Sequence, residues 1–348
     1  MVLSTVVALA AAAAAPFTSG PNPAFQTDSY QLSVDTRGSS VRYIVIGPER
    51  FLSNASRRAA PDVTVRGAEM LVGATPATRG ARVANRFPAE PDTTTGLDDL
   101  GFRLAGFAVA EARAGALALI PDTLDGRAVY RVRIGLAANR CRGVAGGRAT
   151  LWLTQATLLP RRLVVTRRGT SRAWAYRFSG FNQVFPIHLL DAPALGKRPQ
   201  AVDQGFTRAA PLDASGPLPF IPRLPATLPS GFRLATSGWA RRGARTGVSG
   251  VNRPEPHLFS AVYVRGWERV EITERVASHG MWKHDPFARR CLPMRGGHTM
   301  VGTRPARYGI GPEIVSHLWW REGSLLYTVS GPFGKRDLQA IGASMKKI

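Results

Sequence analysis

The sequence predicts an α+β protein: an N-terminal, strongly curved antiparallel half-barrel followed by a smaller antiparallel sheet with a terminal helix. Three observations predict it. Between Gly126 and Phe178 the segments DGRAVYRVRI, LWLTQATLLPRRLVV and RAWAYRF alternate with period two, follow one another with no helix between, and break once at a Thr-Leu-Leu-Pro corner. A Pro-, Gly- and Ala-dense run from Gly196 onward shows neither helical nor strand period and is followed by five more strand-like segments. The closing stretch GKRDLQAIGASMKKI has Leu338, Ile341 and Met345 at helical spacing, with lysines at its end where a helix dipole favours them.

Taken in order, residues 1–26 hold the apolar, Ala-rich run VLSTVVALAAAAAA, too short for a comfortable membrane span and suited to the core of a signal peptide. No Lys or Arg precedes it, so an Ala-rich leader that stays in place is the alternative. Residues 27–195 form the half-barrel domain. QLSVDT and VRYIVI are two strands around an Arg-Gly-Ser-Ser turn, GPERFL begins a third, and VTVRGAEMLVGA is a hairpin. LDDLGFRLAGFAVAEA reads as a short helix entering a strand. Residues 196–230 read as an interdomain linker. Residues 231–348 form the smaller C-terminal domain, with strands in FRLATSGWA, LFSAVYV, ERVEITER, IVSHLWW and LLYTVSG.

On the strand after Gly126, Tyr130, Val132, Ile134 and Leu136 point one way and Arg131 and Arg133 the other. Trp174, Tyr176 and Phe178 share a face against Arg177. Together with Trp152 these residues make a broad apolar surface that either core or lipid must cover. Few amphipathic helices are available to plug the sheet, so a cavity able to hold acyl chains stands beside a filled core as an open reading.

The chain has 348 residues, a length for about two domains, and a net charge of +23 carried almost wholly by arginine. Such a field attracts anionic membrane surface, envelope polymer or nucleic acid. The basic doublets, Arg161-Arg162 and Arg167-Arg168 among them, are spread along the whole chain and alternate with aromatics, which argues against nucleic acid. His279, His284, Asp285, Cys291 and His298 supply ligand types without metal-binding spacing, so no metal or cofactor is expected. No nucleophile elbow, phosphate loop or paired-acid motif appears, and no catalytic residue is assigned. In an exported chain Cys141 and Cys291 either form one disulfide, worth about 4–5 kcal/mol in the chain-entropy treatment, or remain two thiols.

The order and spacing of these segments resemble the LolA-like half-barrel of bacterial lipoprotein carriers, and within it the MucB/RseB branch of extracytoplasmic sigma-factor regulatory proteins. The residues that carry the resemblance are Gly126 and Arg127 before a central strand, Leu151, Trp152 and Leu153 in the next, Thr157, Leu159 and Pro160 at the corner, then Leu163, Val165 and Gly169. It covers residues 29 to 190. The family's corner carries Asp before the Thr and Gly after it, where this chain has Gln155 and Leu158, and the family's opening helix is missing or replaced by the alanine tract. Trp319, Gly323, Tyr327, Val329, Gly331, Ala343 and Ser344 are similar to a strand pair and helix in small domains of anti-sigma and sporulation-related proteins.

The resemblance implies an exported, extracytoplasmic and non-enzymatic protein. Its half-barrel would take lipid or the acyl chain of a lipoprotein on Tyr130, Val132, Ile134, Trp152, Trp174, Tyr176 and Phe178, and its C-terminal domain would meet the extracytoplasmic part of an anti-sigma factor. Two other classes stay open from the residues alone: a protein-interaction module with a filled core, and a basic binder of anionic cell-envelope polymer.

Overall fold

The structure, a computed structural model, describes residues 29–36, 39–46, 49–54, 62–66, 69–74, 79–85, 100–113, 115, 117–136, 138, 146–170, 173–185, 193–209, 218–240, 257–265, 268–277, 295–310, 316–331 and 333–348. The leader, Cys141, Cys291 and, of the residues weighed for a metal, all but His298 lie outside them. None of the described helices is long and apolar enough to cross a membrane.

The N-terminal part supplies β1 (Ser29–Thr36), β2 (Ser39–Ile46), β3 (Glu49–Asn54), β4 (Val63–Arg66), β5 (Glu69–Val72), β6 (Ala81–Ala84), α1 (Leu100–Arg113), β7 (Ile120–Leu124), β8 (Arg127–Leu136), β9 (Gly147–Thr154), β10 (Pro160–Arg167) and β11 (Ala173–Ser179). These strands, with β12 (Gln200–Asp203), make a twelve-stranded sheet in the order β12, β6, β5, β4, β3, β2, β1, β11, β10, β9, β8, β7. Every pairing in it is antiparallel except that of β12 with β6. It is a curved, open sheet and not a closed barrel.

Local chemistry sets its corners. The hairpin between β7 and β8 turns on Asp125 and Gly126, both at positive φ, the Asp-Gly pair that a two-residue hairpin favours. At the β9–β10 corner the left-handed residue is Leu158, φ 54°, so the position where the resembled family carries glycine keeps a glycine-like backbone. Burial of the Leu158 side chain in the core offsets a left-handed cost of about 1–2 kcal/mol.

The second sheet contains β13 (Phe206–Arg208), β15 (Arg233–Ala240), β16 (Leu258–Arg265), β17 (Glu268–Val276), β18 (Arg295–Val301), β19 (Arg304–Ile310), β20 (Ser316–Glu322) and β21 (Leu325–Gly331). Their order is β13, β15, β16, β17, β21, β20, β19, β18, antiparallel throughout. A two-stranded ribbon, β14 (Arg223–Pro225) with β22 (Met345–Lys347), and α2 (Lys335–Ala343) cover its apolar face.

One expectation gains detail here and one is corrected. The run from residue 196 to 230 carries β12, β13 and β14, which pair into the first sheet, the second sheet and the ribbon in turn. It therefore runs between the two sheets, and of its prolines Pro225 lies in the ribbon, opposite Met345. The terminal helix ends at Ala343, so Lys346 and Lys347 belong to β22 and give the helix end no charge stabilisation.

Candidate functional site

The apolar face of the first sheet was the sequence-predicted site, and the strand register decides which residues it gathers. Tyr130 lies opposite Leu153, Val132 opposite Leu151 and Ile134 opposite Ala149. Leu151 in turn faces Leu163, Leu163 faces Tyr176, and Val165 faces Trp174. Directly paired residues project to the same side, so Tyr130, Val132, Ile134, Trp174, Tyr176 and Phe178 share one face. Burial pushes the Tyr176 hydroxyl up to about 12, with nearby Arg167 opposing. Arg167 shares the face of Leu163 and Val165 and stands at its end.

Trp152 is not among them. Period two places it between inward Leu151 and Leu153, on the other side of the sheet. There its Nε1 donates to Asp122 Oδ2 at 3.2 Å, and the Arg162 guanidinium lies 5.6 Å from its ring centre. Asp122 is held below the usual carboxylate range, first by the Thr123 backbone N–H and further by Trp152 and Arg131.

The expectation that few helices plug this face is also overturned. Leu104, Ala105, Ala108 and Val109 of α1 are buried in one cluster with Tyr30, Val132, Ile134, Leu136, Leu151, Leu163, Tyr176 and Phe178. The helix rests on β9 and β10 and also touches β17 of the second sheet. Of its described residues, Ala105, Gly106 and Ala108 are small and buried, Leu104 and Val109 bring buried branched side chains, and Phe107 packs half-buried against the cluster. Tyr130 and Trp174 stay half-buried at the margin of the cluster.

A second constellation, which the sequence reading missed, lies in the C-terminal part. Glu274, buried on the apolar face of β17, accepts the Arg223 backbone N–H of β14 on Oε1 at 2.5 Å, while its Oε2 has no partner. The Arg223 guanidinium donates to Glu322 Oε2 at 2.8 Å and lies 5.1 Å from the Tyr327 ring centre. Glu322 Oε1 also receives Trp320 Nε1 and faces Arg304 Nε, each at 3.0 Å, and Trp320 stacks on Tyr327. Burial pushes Glu274 up to about 8 against the pull of Arg223, with Glu322 adding to the rise. Glu274, Glu322 and Arg223 come from strands far apart in sequence, so no motif spacing announces them. Their chemistry is that of a latch tying β14 to the sheet.

No family model and no curated protein matches the chain. Among solved structures it is similar to the Pseudomonas aeruginosa MucA/MucB complex, at 14% identity over 94% of this chain and 95% of that one, TM-score 0.27. It is similar to LprF from Mycobacterium bovis, at 12% identity over 48% of this chain and 91% of that one, TM-score 0.26. A LolA superfamily protein from Nitrosomonas europaea is similar at 14% identity over 48% and 94%, TM-score 0.20.

Proposed function

We propose that this protein is an extracytoplasmic, non-enzymatic carrier or sensor of acyl chains, in which lipid or the acyl part of a lipoprotein exchanges with α1 on the inner face of the first sheet. The observation that carries the reading is the mismatch between a wide aromatic and aliphatic face and the helix that covers it, which among its described residues fully buries only two large side chains, Leu104 and Val109. These contribute about 1.5–3 kcal/mol each on burial, half-buried Phe107 part of that again, and the alanines less. An acyl chain contributes about 0.8 kcal/mol per methylene, so a chain of ordinary lipid length outweighs the helix it replaces. Arg167, at the end of that face, is placed to hold an anionic headgroup. Following the sequence resemblance, the C-terminal part meets a protein partner, the extracytoplasmic domain of an anti-sigma factor, and lipid releases it.

The test is a titration of the full chain with a fluorescent fatty acid, alongside native mass spectrometry after gentle purification. Leu104→Ala weakens the helix by about 2 kcal/mol or more. Under this reading it tightens fatty-acid binding tenfold or more, because the helix competes with the ligand. The buried state of Val132, Leu151 and Tyr176 under α1 favours a second reading, a protein-interaction module with a filled core. In that case the same substitution only lowers the melting temperature, and no lipid is carried by wild type or variant.

A further inference from the structure

The outer face of the first sheet brings together basic residues that the sequence keeps far apart. Arg131 lies opposite Trp152, Trp152 opposite Arg162, and Arg162 opposite Arg177. Arg177 lies opposite Ser33, and Ser33 opposite Arg42. The row crosses β8, β9, β10, β11, β1 and β2 at right angles to the strands. At about 4.8 Å per strand it runs about 24 Å. Arg133 and Arg148 flank it on the same face, both exposed.

Two acids on this face lie beside arginines of the row. Asp122 Oδ2 is 3.4 Å from Arg131 and Asp35 Oδ2 is 3.9 Å from Arg177. Arg162 makes no salt bridge among the described residues, and its guanidinium lies over the Trp152 ring. Arg162 and Arg177 are therefore like charges in directly opposed positions, an arrangement that costs a sheet stability and that a bound anion relieves.

We propose that this row is a docking track for a linear phosphodiester polymer without nucleobases, of the polyol-phosphate class. Guanidinium forks match phosphate oxygens in bidentate fashion, and a single file of them suits a chain whose charges lie along its own backbone. An acidic peptide fits less well, because extended peptides dock by pairing with a sheet edge, whereas their amides find no partner on a face. A planar membrane meets only part of a row laid across a curved sheet. Nucleobases need an open aromatic platform, and Trp152 is covered by Arg162 and fixed through Nε1 by Asp122. The track lies on the side of the sheet opposite the acyl face, so the two proposals stand or fall separately.

The test uses the full chain and a synthetic glycerol-phosphate oligomer long enough to span the row, with affinity measured across a salt series. Arg162→Gln/Arg177→Gln is expected to lose tenfold or more in affinity and to flatten the slope of log affinity against log salt by about 1.4, at about 0.7 for each contact to a flexible single chain. Arg162→Lys/Arg177→Lys keeps the charge and the slope but loses the fork, and binds more weakly than wild type. Arg198→Gln/Arg336→Gln removes two exposed arginines elsewhere and leaves binding unchanged. The proposal is overturned if the control pair and the row pair lose affinity equally. It is equally overturned if polyglutamate of matched charge, or vesicles containing phosphatidylglycerol, bind as tightly as the oligomer and with the same dependence on Arg162 and Arg177.

Discussion

Apart from Arg167 at the end of the inner face, the first sheet holds its row of arginines outside and keeps the cluster under α1 free of charge, whereas the second draws charge into its apolar face. Beneath α1 the cluster around Leu151, Leu163 and Tyr176 is hydrocarbon apart from tyrosine hydroxyls. Beneath the β14–β22 ribbon, Glu274 and Glu322 lie beside Trp320 and Tyr327 and are tied through Arg223. A hydrocarbon interface is held by area and can be re-covered by any apolar body of similar size. An interface with desolvated charges is held by geometry, because removing one partner strands the other. The first arrangement suits exchange of a covering element and the second suits a fixed strap.

The tryptophans offer the largest test of this contrast. Trp320 is fully buried between Tyr327 and α2, against which even a Cβ on Gly342 would press. Trp152 is half-buried on the outer face of the first sheet. Trp320→Ala should cost about 3–5 kcal/mol, and Trp152→Ala about 1–2 kcal/mol, read from denaturant midpoints of the full chain. Equal losses would mean that the outer face of the first sheet is as deeply packed as the core of the second.

Glu274 gives an effect of comparable size that depends on pH. The groups around it are Arg223, Glu322 and Tyr327, and burial dominates, raising its folded-state value to about 8 from about 4.3 in an unfolded chain. The folded protein thus binds this proton more tightly than the unfolded one. The stabilisation is fully present below about pH 4.3 and is lost as pH rises through about 8. Glu274→Gln keeps the uncharged form at every pH, so its melting temperature should match wild type in acid and exceed it above pH 8. A variant that melts lower than wild type above pH 8 would show that the ionised carboxylate is what holds β14.

At the β9–β10 corner the expected difference is about 1 kcal/mol, and its sign is the reverse of the ordinary one. Leu158 is left-handed and buried, so Leu158→Ala and Leu158→Gly both lose the side chain, but only alanine still pays for the backbone. Leu158→Gly should therefore be the more stable of the two, as measured by thermal unfolding. This corner was legible in the sequence, since Thr157, Leu159 and Pro160 marked it, and so were the strands whose alternation runs over six residues or more. Register was not legible. Four of the six strands contribute one arginine each to the outer row, and only the pairing of Arg131, Trp152, Arg162 and Arg177 across neighbours turns a scatter into a line. Trp152 was misplaced because Leu-Trp-Leu is apolar at three consecutive positions, and alternation alone cannot say which of them faces solvent under an arginine. The strands β12, β13 and β14 escaped because three- and four-residue edge segments rich in turn formers have no measurable period. The helix over residues 100–113 was visible, but its small residues concealed that it covers the sheet.

The smallest effect expected is at Arg177, and it separates the two sheets by sign. Against the second sheet, Arg223 of β14 is an obligatory partner, because Glu322 lies half-buried against its guanidinium and its backbone N–H donates to Glu274 Oε1. In the first sheet Arg177 is exposed, stands opposite Arg162, and meets Asp35 only at 3.9 Å. Arg177→Gln removes a like-charge contact worth a few tenths of a kcal/mol and a weak, solvent-screened ion pair of similar size. The melting temperature should stay level or rise slightly at low salt. The difference from wild type should vanish as salt screens the Arg162–Arg177 repulsion over distances beyond about 10 Å at 0.1 M and less at higher concentrations. A clear fall in melting temperature, undiminished by salt, would mean that Arg177 is packed into the fold as Arg223 is, and the contrast between an exchangeable first sheet and a latched second one would not hold.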